Sequence, residues 1–385
     1  MIKNSFEKLK TYCEVNNFKG WDPYDGLNSK VFKILQMQKV RFFRLAWIQL
    51  FKLNPINFRK LLMVPKEYNP KGLGLFLSGY CNLYKANPKK EYLEQINFLA
   101  IKLIKLKIDN FSGACWGYNF DWQSRAFYLP KKTPNIVVTS FVASALMDAY
   151  EITKNKLYLD IALTSANFVM EDLHRTQKNE GFIFSYSPFD ESCIYNASLF
   201  GSKLLSRIFS YTTNETVLKV AKGSIVACTN AQRKDGSWIY GELSSQNWVD
   251  SFHTGFNLEC IFEYQKLTGD VSFQPYLDKG LNYYFKFFFL KNGTPKYYND
   301  KIYPIDIHAP AQLVATVYKL NILEENKKLV DQVLNWTIEN MQDPHYGYFY
   351  YQLKKGISSK VPYMRWAQAW MFYALSFKLL GEKNG

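Results

Sequence analysis

Residues 232–264 read QRKDGSWIYGELSSQNWVDSFHTGFNLECIFEY, and this stretch holds one whole structural unit. A Gly-plus-aromatic turn, GSWIY from Gly236, comes first, then a polar and aromatic loop, then a segment rich in small residues that begins at His253. The same order returns along the chain. Turns GACWGY from Gly113, GFIFSY from Gly181, GTPKYY from Gly293 and GYFYY from Gly347 precede segments that start near Thr139, Asn196, His308 and Arg365. With His253 in its place, the steps between neighbouring starts are 57, 57, 55 and 57 residues. A step so regular, and longer than the common solenoid periods, implies a helical hairpin with a long loop used repeatedly.

Two kinds of helix alternate in this pattern. Residues 90–108, 156–173, 215–232, 275–290 and 325–341 place apolar side chains at spacings of three and four with Lys, Glu or Asn between them, as outer helices with one wet face do. The other kind, TSFVASALMDAY from Thr139 or HAPAQLVATVY from His308, is apolar nearly all round and carries Ala, Gly and Ser. Such helices are buried on every side and pack closely. Residues 29–53 supply a sixth outer helix and GLGLFLSGYCNLY from Gly72 a sixth inner one. An open array needs polar terminal caps, and the last segment, from Arg365, is as apolar as the middle ones, so the six hairpins are expected to close into a ring. The fold class is all-α, an (α/α)6 toroid of six outer-inner helical hairpins. No linker or low-complexity tract interrupts it, so residues 1–385 read as one toroid domain with 1–28 as an N-terminal arm.

This pattern resembles the six-hairpin toroids of carbohydrate-active enzymes: unsaturated-glucuronyl hydrolases, N-acylglucosamine 2-epimerases and the helical domains of polysaccharide lyases. The resemblance is one of architecture, and it implies a carbohydrate substrate and no tightly bound cofactor. The His-Pro and Arg/Glu segments of the 2-epimerases have no obvious match here. The QRKDGSW turn is similar to the Gln-Trp repeat of triterpene cyclases, which stabilises helix connections there, but no Asp-x-Asp-Asp motif accompanies it. No zinc-site pattern of a prenyltransferase is present either.

Long outer-to-inner loops gather at one mouth of such a ring, where sites usually form. The first loop, from Cys115, brings Trp116, Tyr118, Asp121, Trp122 and Arg125, suited to stacking on a sugar and pairing with an acidic group, or else to plugging the rim. The second offers Asp190, as an acid or as a helix cap. In the third, Trp248, Asp250 and His253 stand together, and a carboxylate beside an imidazole orients it for proton transfer; Asp235 shapes the turn. The fourth repeats the arrangement with Asp306 and His308; the fifth brings Tyr363, Arg365 and Trp366. Asp250, His253, His308, Asp121 and Asp190 are the catalytic candidates, the other loop residues bind substrate, and no metal site is expected. Asp22 and Asp25, in WDPYDGLNS from Trp21, precede an outer helix and so read as capping and turn residues on the opposite, short-loop face.

Composition fits this reading: 48% hydrophobic, 17% aromatic and a formal net charge of +15. Aromatics in that number serve a large core and line sugar-binding clefts. The charge suits an anionic partner, an acidic sugar or a membrane surface, but equally reflects the Lys-, Asn-, Ile-, Tyr- and Phe-rich bias of an AT-rich genome with no specific partner, and no Lys/Arg signature supports nucleic acid. Six scattered cysteines without a CxxC pair imply reduced, buried thiols. No secretion signal and no integral membrane segment is apparent, so a cytoplasmic location is expected. The expected activity is hydrolysis, elimination or epimerisation of a glycan carrying an acidic sugar, with surface-polysaccharide synthesis among its settings. A noncatalytic glycan-binding protein is the alternative, and a terpene-cyclase-like enzyme a weaker one. Oligomeric state is not encoded in these patterns.

Overall fold

The repeat emerges as a ring of helices in the computed structural model, which describes residues 1–123 and 128–384. The chain opens with α1 (Ile2–Val15) and two lid helices, α2 (Lys30–Ile34) and α3 (Arg41–Leu53). Inner and outer helices then alternate: α4 (Pro70–Ala86), α5 (Lys90–Lys105), α6 (Ile136–Thr153), α7 (Lys156–Asn167), α8 (Tyr195–Thr212) and α9 (Glu215–Asn230). The second half continues with α10 (Ser251–Thr268), α11 (Gln274–Phe288), α12 (His308–Lys319), α13 (Leu323–Met341) and α14 (Trp370–Asn384). The even-numbered helices from α4 to α14 each pack on the next, and α14 packs back on α4, so the inner ring closes. The chain has the (α/α)6 toroid fold.

The outer helices bury one stripe each. In α5 the buried residues are Ile96, Leu99, Ala100 and Leu103, spaced three, one and three apart, while its lysines stay at the surface. Inner helices have no wet face: every residue of α12 from His308 to Val317 is buried. Helix α6 is the one helix, among the described residues, long and apolar enough to cross a bilayer, and 61% of it is buried inside the ring. All six cysteines are buried and unpaired.

The Gly-plus-aromatic turn welds each hairpin to the next. Gly236 adopts φ +95°, a conformation open to glycine, and a side chain there would collide with the backbone carbonyl of Lys279 on α11. Gln232 reaches across the same seam, its Nε2 donating to Gly236 O at 3.1 Å and to Tyr276 O at 2.9 Å. Trp238 completes the joint by donating from Nε1 to Cys228 O, near the end of α9, at 2.9 Å. Carbonyls at a helix end lack intrahelical partners, so the indole satisfies one of them.

The last turn identifies the sixth outer helix. Gly347 lies at φ +78° against Lys8 of α1, and Gln342 donates from Nε2 to Ser5 O at 3.0 Å. Helix α1 therefore occupies the place assigned from sequence to residues 29–53, and residues 2–15 are a ring helix in place of a free arm. Amphipathic periodicity alone could not separate the two, because α1 and α3 both carry it. The consequence is topological: residues 16–69 are the first long outer-to-inner loop, and they lie over the mouth on the same face as the other loops. Within them Leu27, Phe32 and Ile48 form a small core separate from the main one.

Three short antiparallel pairs stiffen the loops: β1 (Trp122–Gln123) with β2 (Tyr128–Leu129), β3 (Arg175–Gln177) with β4 (Phe182–Phe184), and β5 (Ile305–Asp306) with β6 (Gln352–Leu353), which ties two loops together. On the ring axis four aromatic side chains from the inner helices, Phe141, Phe200, Phe256 and Trp370, pack with centroids 4.9–6.1 Å apart. They divide the axis into a cavity under the long loops and a second one at the opposite end. The second, of about 390 Å³, is lined by charges tied into ion pairs such as Arg207 with Asp148 at 2.7 Å.

Candidate functional site

The cavity under the long loops has a volume of about 410 Å³, the size of a small-ligand site. Its floor is set by the starts of the inner helices, which contribute Lys71 from α4, Asn196 from α8, His253 from α10 and His308 from α12. Arg365 joins them from a wide helical turn, Met364–Ala369, that leads into α14. On α6 the wall is Val137, while the Thr139 hydroxyl accepts from the backbone N–H of Trp116 at 3.1 Å.

Asp250 both caps α10 and aims His253. One carboxylate oxygen accepts the His253 backbone N–H at 2.9 Å; the other lies 2.7 Å from His253 Nδ1 and accepts from Trp248 Nε1 at 2.9 Å. A carboxylate at Nδ1 fixes the proton there and leaves Nε2 to act as a base. Asp250 itself is buried and does not line the cavity, so it positions the imidazole.

His308 is nearly fully buried, and neither ring nitrogen has a hydrogen-bond partner among the described residues. Its ring stacks on Phe252 at 4.6 Å, and Phe252 also touches His253 at 4.1 Å, so one phenyl ring separates the two imidazoles. Burial, reinforced by the charges of Lys71 and Arg365, holds the His308 pKa well below 6.5 and keeps the ring neutral at neutral pH.

Cations complete the floor. Arg365 is buried and held by Asp22 through two bonds, Nε to Oδ2 at 2.5 Å and Nη2 to Oδ1 at 2.7 Å, with its guanidinium over the rings of Tyr118 and Trp366. Lys71 places its Nζ 4.4 Å from the centroid of Phe141 and 5.4 Å from that of Phe256. Burial first, and the Arg365 charge second, push its pKa well below 10.5. From the lid, Lys52 donates to the Tyr24 hydroxyl at 3.2 Å. No Asp or Glu lines this cavity among the described residues.

Lys71 gives a direct test. A lysine whose folded pKa lies below its unfolded value makes the folded state bind fewer protons, so stability rises with pH between the two values. Lys71→Met is therefore expected to raise the urea midpoint at neutral pH, with the gain fading above the ordinary lysine pKa of 10.5. The same change should weaken binding of an anionic ligand in the cavity by roughly tenfold or more, as loss of a charged hydrogen bond does. Calorimetry and urea titration read the two effects separately.

Of the residues singled out from sequence, Tyr118, Trp122, Trp248, His253, His308, Arg365 and Trp366 line the cavity. Others have different work. Trp116 is fully buried and donates to Leu103 O at 2.7 Å, closing the end of α5 as Trp238 closes α9, so it is no substrate platform. Asp121 accepts the Lys131 backbone N–H at 2.7 Å beside the β1–β2 pair and does not reach the cavity. Asp190 accepts from Ser187 N at 2.8 Å and Ser192 N at 3.0 Å, which makes it a staple of its own loop instead of a catalytic acid.

Asp306 lies beneath the floor, accepting from His308 N, Trp366 Nε1 and Gln352 Nε2 at 2.9, 2.9 and 2.6 Å; burial raises its pKa to about 6. It supports Trp366 without facing a ligand. Tyr363 is fully buried with its ring against the Arg59 guanidinium. Arg125 lies outside the described residues. Asp22 and Asp25, expected on the far face, are at the site face, and Asp25 accepts from Arg59 Nε at 2.7 Å.

The lining residues that went unremarked are chiefly Lys71, Lys52, Tyr24 and Tyr240. Lys71 was findable: it stands at the start of the inner helix one residue before Gly72, whose backbone N–H meets its cap Asn69 as that of His253 meets Asp250. Among the described residues no group of three or more His, Cys, Asp or Glu is placed to hold a metal ion.

No family model matches the chain, and no curated protein sequence matches it. Solved structures do. Cellobiose 2-epimerase from Bacillus thermoamylovorans aligns over 83% of this chain and 90% of its own, with a TM-score of 0.64 at 14% identity. An unsaturated glucuronyl hydrolase specific for heparin aligns over 99% of this chain and 96% of its own, with a TM-score of 0.63 at 13% identity. The GH76 α-mannanase of Bacteroides thetaiotaomicron covers 82% and 86%, at 0.60 and 15%. At these identities the likeness is one of fold: the chain shares the six-hairpin (α/α)6 toroid of these proteins.

Proposed function

We propose that this chain is a carbohydrate-active enzyme that removes a carbon-bound proton from an acidic sugar, with His253 as its base and His308 as a neutral imidazole that binds the developing charge. The observation that carries the reading is the buried, unpartnered imidazole of His308 at a cavity wall. An unsatisfied buried polar group costs about 1–3 kcal/mol, and a ligand atom is the partner that would remove this cost.

The roles follow from the surroundings. His253, aimed by Asp250, is the base that takes the proton. The resulting carbanion is delocalised into a neighbouring carbonyl or carboxylate, whose negative charge Arg365 and Lys71 stabilise. His308, neutral before reaction, donates a hydrogen bond to the developing negative oxygen, and His253 returns the proton it has taken to carbon or to a departing oxygen. The three cations Lys52, Lys71 and Arg365, with no lining carboxylate among the described residues, favour a negatively charged sugar over a neutral one. Hydrolysis by the usual carboxylate pair needs two such groups about 5–9.5 Å apart across the bond, and the described wall has none. The epimerase among the similar folds fits this chemistry better than the mannanase.

Incubation with uronate-containing mono- and oligosaccharides in deuterated water tests the proposal. Deuterium incorporated at carbon without cleavage indicates epimerisation or isomerisation, and an ultraviolet-absorbing unsaturated product indicates elimination. Binding without exchange or cleavage would overturn the enzymatic reading and leave a glycan-binding protein.

A further inference from the structure

The lid presents a surface that neither the ring nor the cavity requires. Nine of the 21 exposed large apolar side chains among the described residues fall between Ile34 and Met63. Ile34, Phe42 and Leu61 are each more than 70% exposed, with Leu35, Phe43 and Ile56 also open to solvent. Over residues 30–66 the sequence carries nine Lys or Arg and no Asp or Glu. Of these, Lys30, Lys33, Lys39, Arg41, Lys60 and Lys66 are exposed.

The apolar and basic residues belong to one small assembly. Helices α2 and α3 share the core of Leu27, Phe32 and Ile48, and Ser29 donates to Leu62 O at 2.6 Å, tying residues 62–63 to the start of α2. The inward side chains are thus accounted for, and Phe42 and Phe43, 5.7 Å apart, are left on the outside. Exposed apolar side chains at this density mark an interaction surface.

From this we infer that the lid docks the protein on an anionic lipid bilayer. Basic residues draw the face to negatively charged headgroups, while Phe, Ile and Leu side chains enter the interface below them, the combination that holds peripheral helices on membranes. A nucleic acid offers aliphatic side chains such as Ile34 and Leu61 nothing to pack into. Two copies of the chain meeting by a two-fold axis would set this all-basic face against itself. The inference is independent of the proposed chemistry. Its geometric meaning is that α3, which walls the cavity through Leu45, Ile48, Gln49 and Lys52, is also the helix at the bilayer.

Flotation of the full chain with vesicles tests it. Binding to phosphatidylglycerol–phosphatidylcholine vesicles is expected to exceed binding to pure phosphatidylcholine by about tenfold or more, and to fall as salt rises. The double change Phe42→Ser and Phe43→Ser should weaken it by about tenfold, with circular dichroism unchanged because neither residue belongs to the small core. Lys33→Glu with Lys60→Glu should remove the preference for the anionic lipid. Equal binding to both vesicle types, or unchanged binding of both variants, overturns the inference. So does a concentration-dependent dimer, seen by sedimentation equilibrium, that the Phe42 and Phe43 changes dissolve.

Discussion

Replacing Asp22 by alanine is expected to lower the free energy of unfolding by about 3–5 kcal/mol, the cost of leaving a buried charge without its partner. Both partners are almost wholly buried, with side-chain exposures of 4%, and the Arg365 guanidinium would keep only its contacts with aromatic faces. Equilibrium urea unfolding at neutral pH measures the loss. Asp22→Asn, which retains one acceptor, should lose less. The pair also joins the first long loop to the turn before α14, so the alanine variant should show faster amide exchange across residues 20–69. A cost below about 1 kcal/mol would place the pair among solvent-exposed ones and remove it as the anchor of the floor.

His253→Ala is expected to reduce turnover of the substrate identified by isotope exchange by about 10²–10⁴-fold, the range for loss of a general acid or base. KM should change little. Asp250→Asn is the finer probe. It preserves a cap acceptor for the His253 backbone N–H but disturbs the fixed tautomer, so kcat and its pH profile should shift while KM and helix content remain close to those of the parent. A His253→Ala protein that exchanges deuterium at the parental rate would remove His253 from the mechanism and leave His308 as the sole imidazole to consider.

The sequence carried the ring more clearly than the site. A spacing of about 57 residues reports the hairpins because each copy must repeat the same Gly turn against the next outer helix, as Gly236 does against Lys279 and Gly347 against Lys8. It failed at the first hairpin for a physical reason. In each repeat the Gly-aromatic turn follows the outer helix, and only the short Gly20-Trp21 stands in that place after α1, while the 54 residues from 16 to 69 are long enough to contain an amphipathic helix of their own. Placing α3 in the outer ring then sent Asp22 to the wrong face.

Among the loop residues, composition could not distinguish an aromatic that faces a ligand from one that seals a helix end. Trp116 and Trp248 read alike, yet one satisfies the Leu103 carbonyl and the other the Asp250 carboxylate at the cavity. The carboxylates were overread in the same way. Asp190 and Asp306 serve backbone N–H groups, a use that short acidic side chains near helix starts have everywhere. The two histidines were legible because they recur at one repeat position, and the pairing of His253 with Asp250 because the two stand three residues apart on one helix start.

The aromatic plug on the ring axis has a kinetic meaning. Phe256 faces the upper cavity, and Phe141 and Phe200 face the lower one, so among the described residues the toroid has a floor and no through-channel. Whatever reaches Lys71 comes in past the lid and must leave by the same door. A chain-like ligand can then enter only by its tip, and a departing ligand competes with an arriving one for a single passage.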